Sequence, residues 1–333
     1  MQVSVIIPVY NASRYVRQAA ESALRQLETV EVVLVEDGSP DDSLEICRTL
    51  AAENRSVKLL RHPNGENRGA AASRNLGMKE STYPFIAFLD ADDVYLPGRF
   101  SVAKEVFASH ADCDGVYEAI GIHYENAKAE QQWLASSMAT IRETTMTRRV
   151  PPEALFRTLT KGDAGYFSID GLVIRRSVLA DAGYFNEHLG SMHEDTDFVL
   201  RLAAVGRLMP GRLDEPVAAR RVHSENRISA PRSASEVYRD RLKMWVSVYR
   251  WCRRKGLKEH QRLVFERFLA ICGLRKPLNE VASRLAGDSA QTALRLIAWP
   301  ADCADVVREG LYWRELGSSL WGIIRNDLLR WNG

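Results

Sequence analysis

The first ninety residues alternate short apolar runs with segments of helical pattern, and this alternation constrains the fold more than any other feature. The apolar runs lie at Val3–Val9 and at residues 30–36, 57–60 and 84–89. The helical segments lie at residues 14–26, 41–53 and 69–78. Strands that are apolar on both faces and separated by helices are typical of a parallel sheet covered by helices. We therefore predict an α/β fold with a mostly parallel central sheet and right-handed crossovers.

Polar residues follow each of these four predicted strands. The clusters are Tyr10-Asn11, Asp37-Gly38-Ser39, Asn67-Arg68-Gly69 and Asp90 to Asp93. In an open α/β sheet, ligands bind beyond the carboxyl ends of the strands. The clusters therefore predict one ligand site at that edge of the sheet, formed by several loops together.

The acidic cluster is the most specific of the four. Asp90 and Asp92 lie two residues apart just beyond a strand, where both carboxylates can face one cleft. Hard divalent cations such as Mg2+ and Mn2+ bind oxygen ligands of this kind. Alternatively, Asp90, Asp92 or Asp93 caps a helix that begins near Pro97. Capping uses only one of these carboxylates, so we favour the metal site.

Two positions near the other strand ends allow both a functional and a structural interpretation. Asp37 either forms an Asx turn or contacts a nucleotide base or ribose. Arg74 lies in a helix start that is rich in small residues, at residues 69–77. It supplies a cation for a phosphate group, but tight packing of this helix on the sheet explains the alanines equally well.

Later in the chain, Glu194 and Asp195 begin a predicted helix over residues 194–205. Acidic residues in a first turn are stabilised by the helix dipole alone. The functional alternative makes one of them a general base that deprotonates an acceptor hydroxyl. His223 is a candidate ligand for metal or phosphate, although a single histidine is more often structural.

Charge and pattern divide the chain near residue 233. Hydrophobic residues make up 46% of the 333 residues and charged residues 26%, as in an ordinary globular protein. Residues 234–333 have a net charge of +7, against −5 for residues 1–233. We predict a catalytic domain over 1–233 and a basic helical region over 234–333. Residues 121–150 have weaker periodicity and predict a long loop on the acceptor side.

The cysteines and the apolar runs indicate the compartment. Five cysteines without a CxxC pair argue against disulfides and zinc and favour a reducing environment. The chain begins directly with a strand-like segment, without the pattern of a signal peptide. No apolar run approaches the roughly 20 residues that span a bilayer. We expect a cytoplasmic protein, with peripheral contact to the inner face of the membrane as an alternative.

Five motifs, in order, resemble the family 2 glycosyltransferases of GT-A fold over about residues 2–225. They are Pro8-Val9-Tyr10-Asn11, Glu36-Asp37-Gly38-Ser39, the run from Gly69 to Gly77, Asp90-Ala91-Asp92 and Glu194-Asp195. The sequence departs from the family pattern at Glu36, where another Asp is usual.

The resemblance implies an inverting hexosyl transfer from a nucleotide-diphosphate sugar to a hydroxyl of a glycan or lipid-linked acceptor. The implied donor contacts are Pro8, Tyr10, Asp37, Arg74, Asp90 and Ala91. Asp92 would bind Mn2+ or Mg2+, with His223 as a second ligand. Asp195 would be the general base, with Glu194 beside it. No nucleic-acid partner is expected.

The resemblance does not extend to the basic C-terminal region. Six of the seven tryptophans lie there: Trp245, Trp251, Trp299, Trp313, Trp321 and Trp331. Apolar residues recur at helical spacing at Trp313, Leu316, Leu320, Ile324 and Leu328. A cationic amphipathic helix of this kind could lie on an anionic membrane. Packing on the catalytic domain or on a second subunit explains the same stripe.

Three other functions share parts of this pattern. Phosphatases of the haloacid dehalogenase type also use Asp-x-Asp after a strand, but after the first strand and with a Thr two residues further on, where this chain has Val94. Nucleotidyltransferases usually carry a basic, glycine-rich loop after the first strand, which here reads Tyr10 to Ser13. The third alternative is a non-catalytic relative. Sugar transfer fits the whole pattern better than any of these.

Overall fold

The structure is a computed structural model that describes residues 1–135, 143–190, 192–223 and 233–271. The tryptophan-containing stripe from Trp313 to Leu328 lies outside the described residues, as do Cys272 and Cys303. The other three cysteines, Cys47, Cys113 and Cys252, are buried and form no disulfide bond in the described part of the chain.

The described residues form eleven strands and ten α-helices. The strands are β1 (Val3–Val9), β2 (Thr29–Glu36), β3 (Val57–Arg61), β4 (Phe85–Phe88), β5 (Val94–Tyr95), β6 (Gly115–Tyr117), β7 (Ile120–Tyr124), β8 (Glu143–Thr144), β9 (Leu172–Arg175), β10 (Leu208–Pro210) and β11 (Ala218–Val222). The helices are α1 (Val16–Leu24), α2 (Ser43–Glu53), α3 (Gly69–Glu80), α4 (Ser101–Ser109), α5 (Ala127–Ala135), α6 (Pro152–Lys161), α7 (Leu179–Ala182), α8 (Glu194–Val205), α9 (Ala234–Arg254) and α10 (Lys258–Ile271).

Seven strands form the central sheet in the order β10-β6-β9-β4-β1-β2-β3. Strand β1 lies at its centre and pairs in parallel with β2 and β4. Only β9 among the described strands of this sheet runs antiparallel, to β4 and β6. The continuous apolar run of β1 is buried because helices cover both faces. The predicted α/β fold with a mostly parallel sheet is confirmed.

Helix α3 packs closely on this sheet, and Gly77 shows why its residues are small. A Cβ atom at Gly77 would lie 2.5 Å from Cγ2 of Ile6 and 3.3 Å from Cγ2 of Val35. Any larger residue at this position would push the helix off β1 and β2. The helix is therefore held in a fixed position, and with it the side chain of Arg74.

A second sheet has the strand order β5-β11-β7-β8. Strand β11 runs antiparallel to β5, which follows the acidic cluster directly, and parallel to β7. His223 comes immediately after β11. This sheet therefore brings a late segment of the chain to the residues that follow β4.

The weakly periodic region contains regular structure in its described part. Strand β7 and helix α5 occupy most of residues 120–135, where we expected a long loop. Trp133 of α5 is fully buried in a small cluster with Ala129 and Val222. Burial of this one large side chain stabilises the short helix. The sequence of the helix therefore shows only a weak repeat of apolar residues at helical spacing. The acceptor-side role of residues 121–150 remains a prediction.

The internal contacts divide the chain into Met1–Ser233 and Ala234–Gly333. In the second unit, α9 and α10 pack against each other, with Tyr249 and Phe265 in ring contact at 6.1 Å. Buried residues recur at helical spacing on α9 at Leu242, Trp245, Tyr249 and Cys252. Within the described residues, no helix is both long and apolar enough to cross a membrane.

Candidate active site

The carboxyl ends of β1, β2 and β4 lie side by side, and the predicted donor residues follow them. Pro8 is partly buried and aligned with Val35 of β2. Tyr10 is 52% exposed at the edge of the sheet. Ala91, after β4, is buried. This edge is therefore the open end of the sheet that we expected to hold a ligand.

Asp37 connects the end of β2 to the start of α3. Its buried carboxylate accepts hydrogen bonds from the backbone N–H groups of Arg68 at 2.7 Å and Gly69 at 2.9 Å. His62 Nε2 lies 3.5 Å from the same carboxylate. Asp37 thus binds the N–H groups at the start of α3, which are unpaired within a helix, and does not form an Asx turn in its own loop. Its contact with a nucleotide remains a prediction.

Glu36 occupies the position where the family usually has Asp, and it is fully buried. It accepts hydrogen bonds from the N–H of Ser39 at 2.5 Å and from Arg61 Nε at 2.7 Å. Burial alone would raise the pKa of Glu36, but the hydrogen bonds from Ser39 and Arg61 outweigh it and hold this pKa below its usual value. Glu36, whose side chain is longer than that of the usual Asp, is therefore charged and hydrogen-bonded on both carboxylate oxygens. These bonds hold the loop after β2.

Arg74 joins two motifs that are far apart in the sequence. Its guanidinium donates to Asp90 Oδ1 at 2.7 Å and to Glu194 Oε1 at 3.1 Å, and it lies 5.5 Å from the ring centre of Phe185. Arg74 and Glu194 are both buried, whereas the Asp90 side chain is 37% exposed. Burial and the charge of Asp195 raise the pKa of Glu194, and Arg74 opposes that shift. Arg74 therefore holds the acidic motif after β4 against the first turn of α8.

Asp92 and His223 form a second contact between distant segments. His223 Nε2 lies 3.1 Å from Asp92 Oδ2. Two neighbouring ligands of an octahedral cation with bonds of about 2.1 Å lie about 3.0 Å apart. The spacing therefore fits a pair of ligands on one side of a divalent metal ion. The His223 ring packs on Tyr15 at 4.7 Å, and the Tyr15 hydroxyl lies 3.0 Å from Glu125 Oε1.

Asp90, Asp93 and Asp170 form an acidic group beside that pair, with one oxygen from each within 4.8 Å of the others. Asp93 accepts a hydrogen bond from the backbone N–H of Arg221 at 2.8 Å. Helix α4 begins only at Ser101, so the interpretation of Asp93 as a helix cap is wrong. Asp93 is instead a buried carboxyl that connects the loop after β4 to β11.

Asp170 is the principal site residue that the sequence analysis did not identify. Its Oδ1 accepts from the Asp90 N–H at 3.2 Å, and its buried Oδ2 has no hydrogen-bond partner among the described residues. Burial, followed by the charge of Asp90, raises the pKa of Asp170 to about 7. These carboxyls can therefore hold a proton or a cation between them. The available signal was one carboxylate in the otherwise uncharged run at residues 164–174.

A fully buried ion pair between Arg99 and Glu118 contacts the backbone of Asp170. Arg99 Nη1 donates to Glu118 Oε2 at 2.7 Å, and Arg99 Nε donates to the carbonyl oxygen of Asp170 at 3.1 Å. Both side chains are inaccessible to solvent. No sequence pattern indicated this pair, because its members lie on different elements and pair only in the folded chain.

Asp195 lies in the first turn of α8 and is partly exposed. Its Oδ1 accepts from the N–H of Thr196 at 2.6 Å and from the Thr196 hydroxyl at 3.3 Å. Its neighbour Glu194 is the group that binds Arg74. Glu194 is therefore bonded to Arg74. Asp195 keeps one carboxylate oxygen, Oδ2, without a hydrogen-bond partner in the described part of the chain.

The structure brings together some of the predicted residues and separates others. Arg74, Asp90 and Glu194 are in direct contact, and so are Asp92 and His223. Asp37 makes no hydrogen bond with these groups in the described residues, and reaches them only through α3, which carries Arg74.

Comparison with known proteins assigns a class to this arrangement. The glycosyl transferase family 2 model matches residues 4–182, more than half of the chain. The protein therefore belongs to glycosyl transferase family 2. The fold prediction agrees with the solved structures of TarS of S. aureus, which show the same architecture at 19% identity. The structure of TarS in complex with UDP-GlcNAc superposes with a TM-score of 0.59, and the match covers 81% of this chain and 73% of the TarS chain.

Among curated proteins, an uncharacterised glycosyltransferase of Nostoc sp. is 29% identical over 71% of this chain and 70% of its own length. The succinoglycan biosynthesis protein ExoU of Rhizobium meliloti is 43% identical over 29% of this chain and 28% of its own length. The chain spans only between 14% and 36% of the length of several other curated glycosyltransferases.

Proposed function

We propose that this protein is an inverting glycosyltransferase that moves a sugar from a nucleotide-diphosphate sugar to a hydroxyl of a glycan or lipid-linked acceptor. The observation that carries the proposal is the meeting of two types of group at one edge of the sheet. Asp92 and His223 form a pair suited to a metal ion, and Asp195 offers a carboxylate oxygen suited to proton transfer. Arg74 links the loops that carry both through Asp90 and Glu194.

The donor nucleotide would lie beyond β1 and β2. Tyr10 is exposed there, and the Asp37 carboxylate fixes the start of α3 beside it. Pro8 and Ala91 would contribute to the same donor site from the ends of β1 and β4. Arg74 and Asp90 would then contact the ribose and phosphate end of the donor.

Asp92 and His223 would hold a divalent cation. When it is bound, such an ion neutralises the charge that develops on the departing diphosphate. The imidazole ligand favours Mn2+ over Mg2+, because Mg2+ prefers carboxylate, carbonyl and water oxygens. The Tyr15 ring packs on the His223 ring, and the hydroxyl of Tyr15 is bonded to Glu125, so this packing would limit rotation of the imidazole.

Asp195 would accept the proton of the attacking hydroxyl on its Oδ2. The base lies on the acceptor side of the sugar and the diphosphate leaves from the opposite face, so the configuration at the anomeric carbon is inverted. Glu194 cannot take this role easily, because its carboxylate is buried against Arg74. Glu194 instead holds the first turn of α8 in place.

The relatives suggest the substrate class. TarS binds UDP-GlcNAc, and ExoU takes part in succinoglycan biosynthesis. We therefore propose a UDP-sugar donor and a role in making a cell-surface polysaccharide or glycolipid. The basic region over 234–333 would bring the enzyme to an acceptor at the inner face of the membrane. We also propose that residues 1–233 form the catalytic domain. The alternatives for the basic region are that it packs on this domain or that it forms a homodimer.

A thermal-shift screen tests the donor proposal. The purified chain is heated with UDP-, GDP- and dTDP-linked hexoses, each with MnCl2 and with EDTA. We expect at least one nucleotide sugar to raise the melting temperature, and to do so more strongly with Mn2+. If no nucleotide sugar stabilises the protein under either condition, the proposal fails.

A further inference from the structure

Arg221 on β11 lies two residues before His223 and bonds to two successive residues of the acidic motif. Its backbone N–H donates to Asp93 Oδ1 at 2.8 Å, and its side-chain Nε donates to the carbonyl oxygen of Asp92 at 3.0 Å. Arg221 is buried. One residue of β11 therefore holds the loop after β4 exactly where Asp92 leaves the backbone of that loop.

The far end of the Arg221 side chain is fixed as well. Its Nη2 donates to Oε1 of Gln18, on α1, at 2.6 Å. The guanidinium also lies 5.1 Å from the ring centre of Tyr15, the residue that precedes α1. A planar guanidinium that donates in two directions has a defined orientation, which a lysine ammonium does not reproduce. Arg221 thus joins α1 to the acidic motif.

The Tyr15 ring extends this contact to His223. The two rings lie 4.7 Å apart, and Tyr15 is buried. Arg221 and His223 are two positions apart at the end of an extended strand, so their side chains lie on the same side of it. The residue between them is fixed too, because the carbonyl oxygen of Val222 accepts from the N–H of Glu125 at 3.0 Å. Arg221 therefore contacts Asp92 directly and His223 through Tyr15.

The charge of Arg221 does not explain its place beside the proposed metal site. A guanidinium repels a bound cation, and the repulsion is stronger where water is excluded. The side-chain bonds to Asp92 and Gln18 end on uncharged acceptors, a peptide carbonyl and an amide. The benefit of an arginine at this position therefore lies in the geometry of these bonds.

We propose that Arg221 is a positioning residue that keeps the Asp92 carboxylate and the His223 imidazole at the separation a divalent cation needs. That separation is 3.1 Å between Asp92 Oδ2 and His223 Nε2. Ligands that are already ordered bind an ion more tightly, because less conformational freedom is lost on binding. The inference rests on the proposed function, in which Asp92 and His223 hold the metal ion.

The test is the Mn2+ affinity of the full chain, measured by isothermal titration calorimetry with MnCl2. Arg221→Lys keeps the charge and loses the fixed pair of donors, and we expect the affinity to fall roughly tenfold. The matched control is Arg176→Lys. Arg176 donates to the carbonyl oxygens of Tyr83 at 3.0 Å and Met78 at 2.8 Å, near the amino end of β4 and away from the site. This control should keep the Mn2+ affinity of the wild type.

A second variant tests the anchor on α1 without changing a buried residue. Gln18 is exposed, so Gln18→Ala should fold normally. We expect its Mn2+ affinity to fall about threefold, with little further loss when it is added to Arg221→Lys. Wild-type affinity in Arg221→Lys, an equal fall in Arg176→Lys, or independent losses in the double variant would each overturn the proposal.

Failure of the proposed metal site gives a different result. If the wild-type chain does not bind Mn2+, or if His223→Ala binds it equally well, the metal site is wrong and the role of Arg221 is wrong with it. If His223→Ala weakens binding while Arg221→Lys does not, only the positioning role is wrong.

Discussion

Arg74 on α3 forms a buried ion pair with Glu194 at the start of α8, although 120 residues separate them in the chain. The same guanidinium binds Asp90, the first residue of the acidic motif. One arginine therefore sets the distance between the loop proposed to hold the metal ion and the helix proposed to carry the base.

Removing Arg74 is expected to destabilise the fold as well as the site. Arg74→Met leaves the buried Glu194 carboxylate without its counter-ion, which should lower the free energy of unfolding by about 3 kcal/mol. Urea denaturation measures this change. The control is Arg17→Met, whose ion pair with Glu53 is exposed and should contribute less than about 0.5 kcal/mol. Equal effects of the two substitutions would contradict the account of Arg74.

The raised pKa of Asp170 predicts a pH dependence of stability in the metal-free protein. An unfolded Asp loses its proton near pH 3.9, whereas folded Asp170 keeps it to about pH 7, because of burial and the charge of Asp90. Its contribution to stability is complete below about pH 4 and is lost as the pH rises through 7. Thermal denaturation in EDTA between pH 4 and 8 should show this decline, and Asp170→Asn should reduce it. The same curve for both proteins would rule out Asp170 as its source.

Binding of Mn2+ should depend on His223. His223→Ala removes one of two closely spaced ligands, and we expect the affinity for Mn2+ to fall by roughly tenfold to a hundredfold. Isothermal titration calorimetry or electron paramagnetic resonance of free Mn2+ measures this. His110→Ala is the matched control, because His110 is exposed and lies outside the site. Unchanged binding by His223→Ala would place the metal ion elsewhere.

Contact with a membrane is expected to depend on the end of the basic region. The full chain should co-sediment with vesicles that contain anionic lipid, and the binding should weaken as salt is added. A version ending near residue 305 should bind less, because it lacks the stripe from Trp313 to Leu328. Equal sedimentation of the two proteins would exclude this stripe as the membrane contact.

The elements of the central sheet could be predicted because their signals are local. The apolar run of β1 has the same bounds in sequence and structure, and the start of α3 at Gly69 follows from its small residues. Helix α5 was missed because one buried tryptophan, Trp133, replaces a repeating apolar face.

The site was less predictable, because its contacts join distant parts of the chain. The motifs indicated Asp92 and Asp195, and His223 was a separate candidate ligand; the roles of these residues stay predictions. Nothing local showed that Arg74 would bind two carboxylates. Asp93 was misinterpreted because β5 follows the acidic motif and delays the next helix to Ser101.

The most direct test of the account is the separation of binding from transfer in Asp195→Asn. This change keeps the size of the side chain and removes its capacity to accept a proton. We expect the donor dissociation constant to stay within about twofold of the wild type, while the transfer rate falls by roughly a hundredfold or more. Asp112→Asn, at an exposed position, is the control and should be unchanged. Full transfer activity in Asp195→Asn would contradict the assignment of Asp195 as the base of a glycosyltransferase.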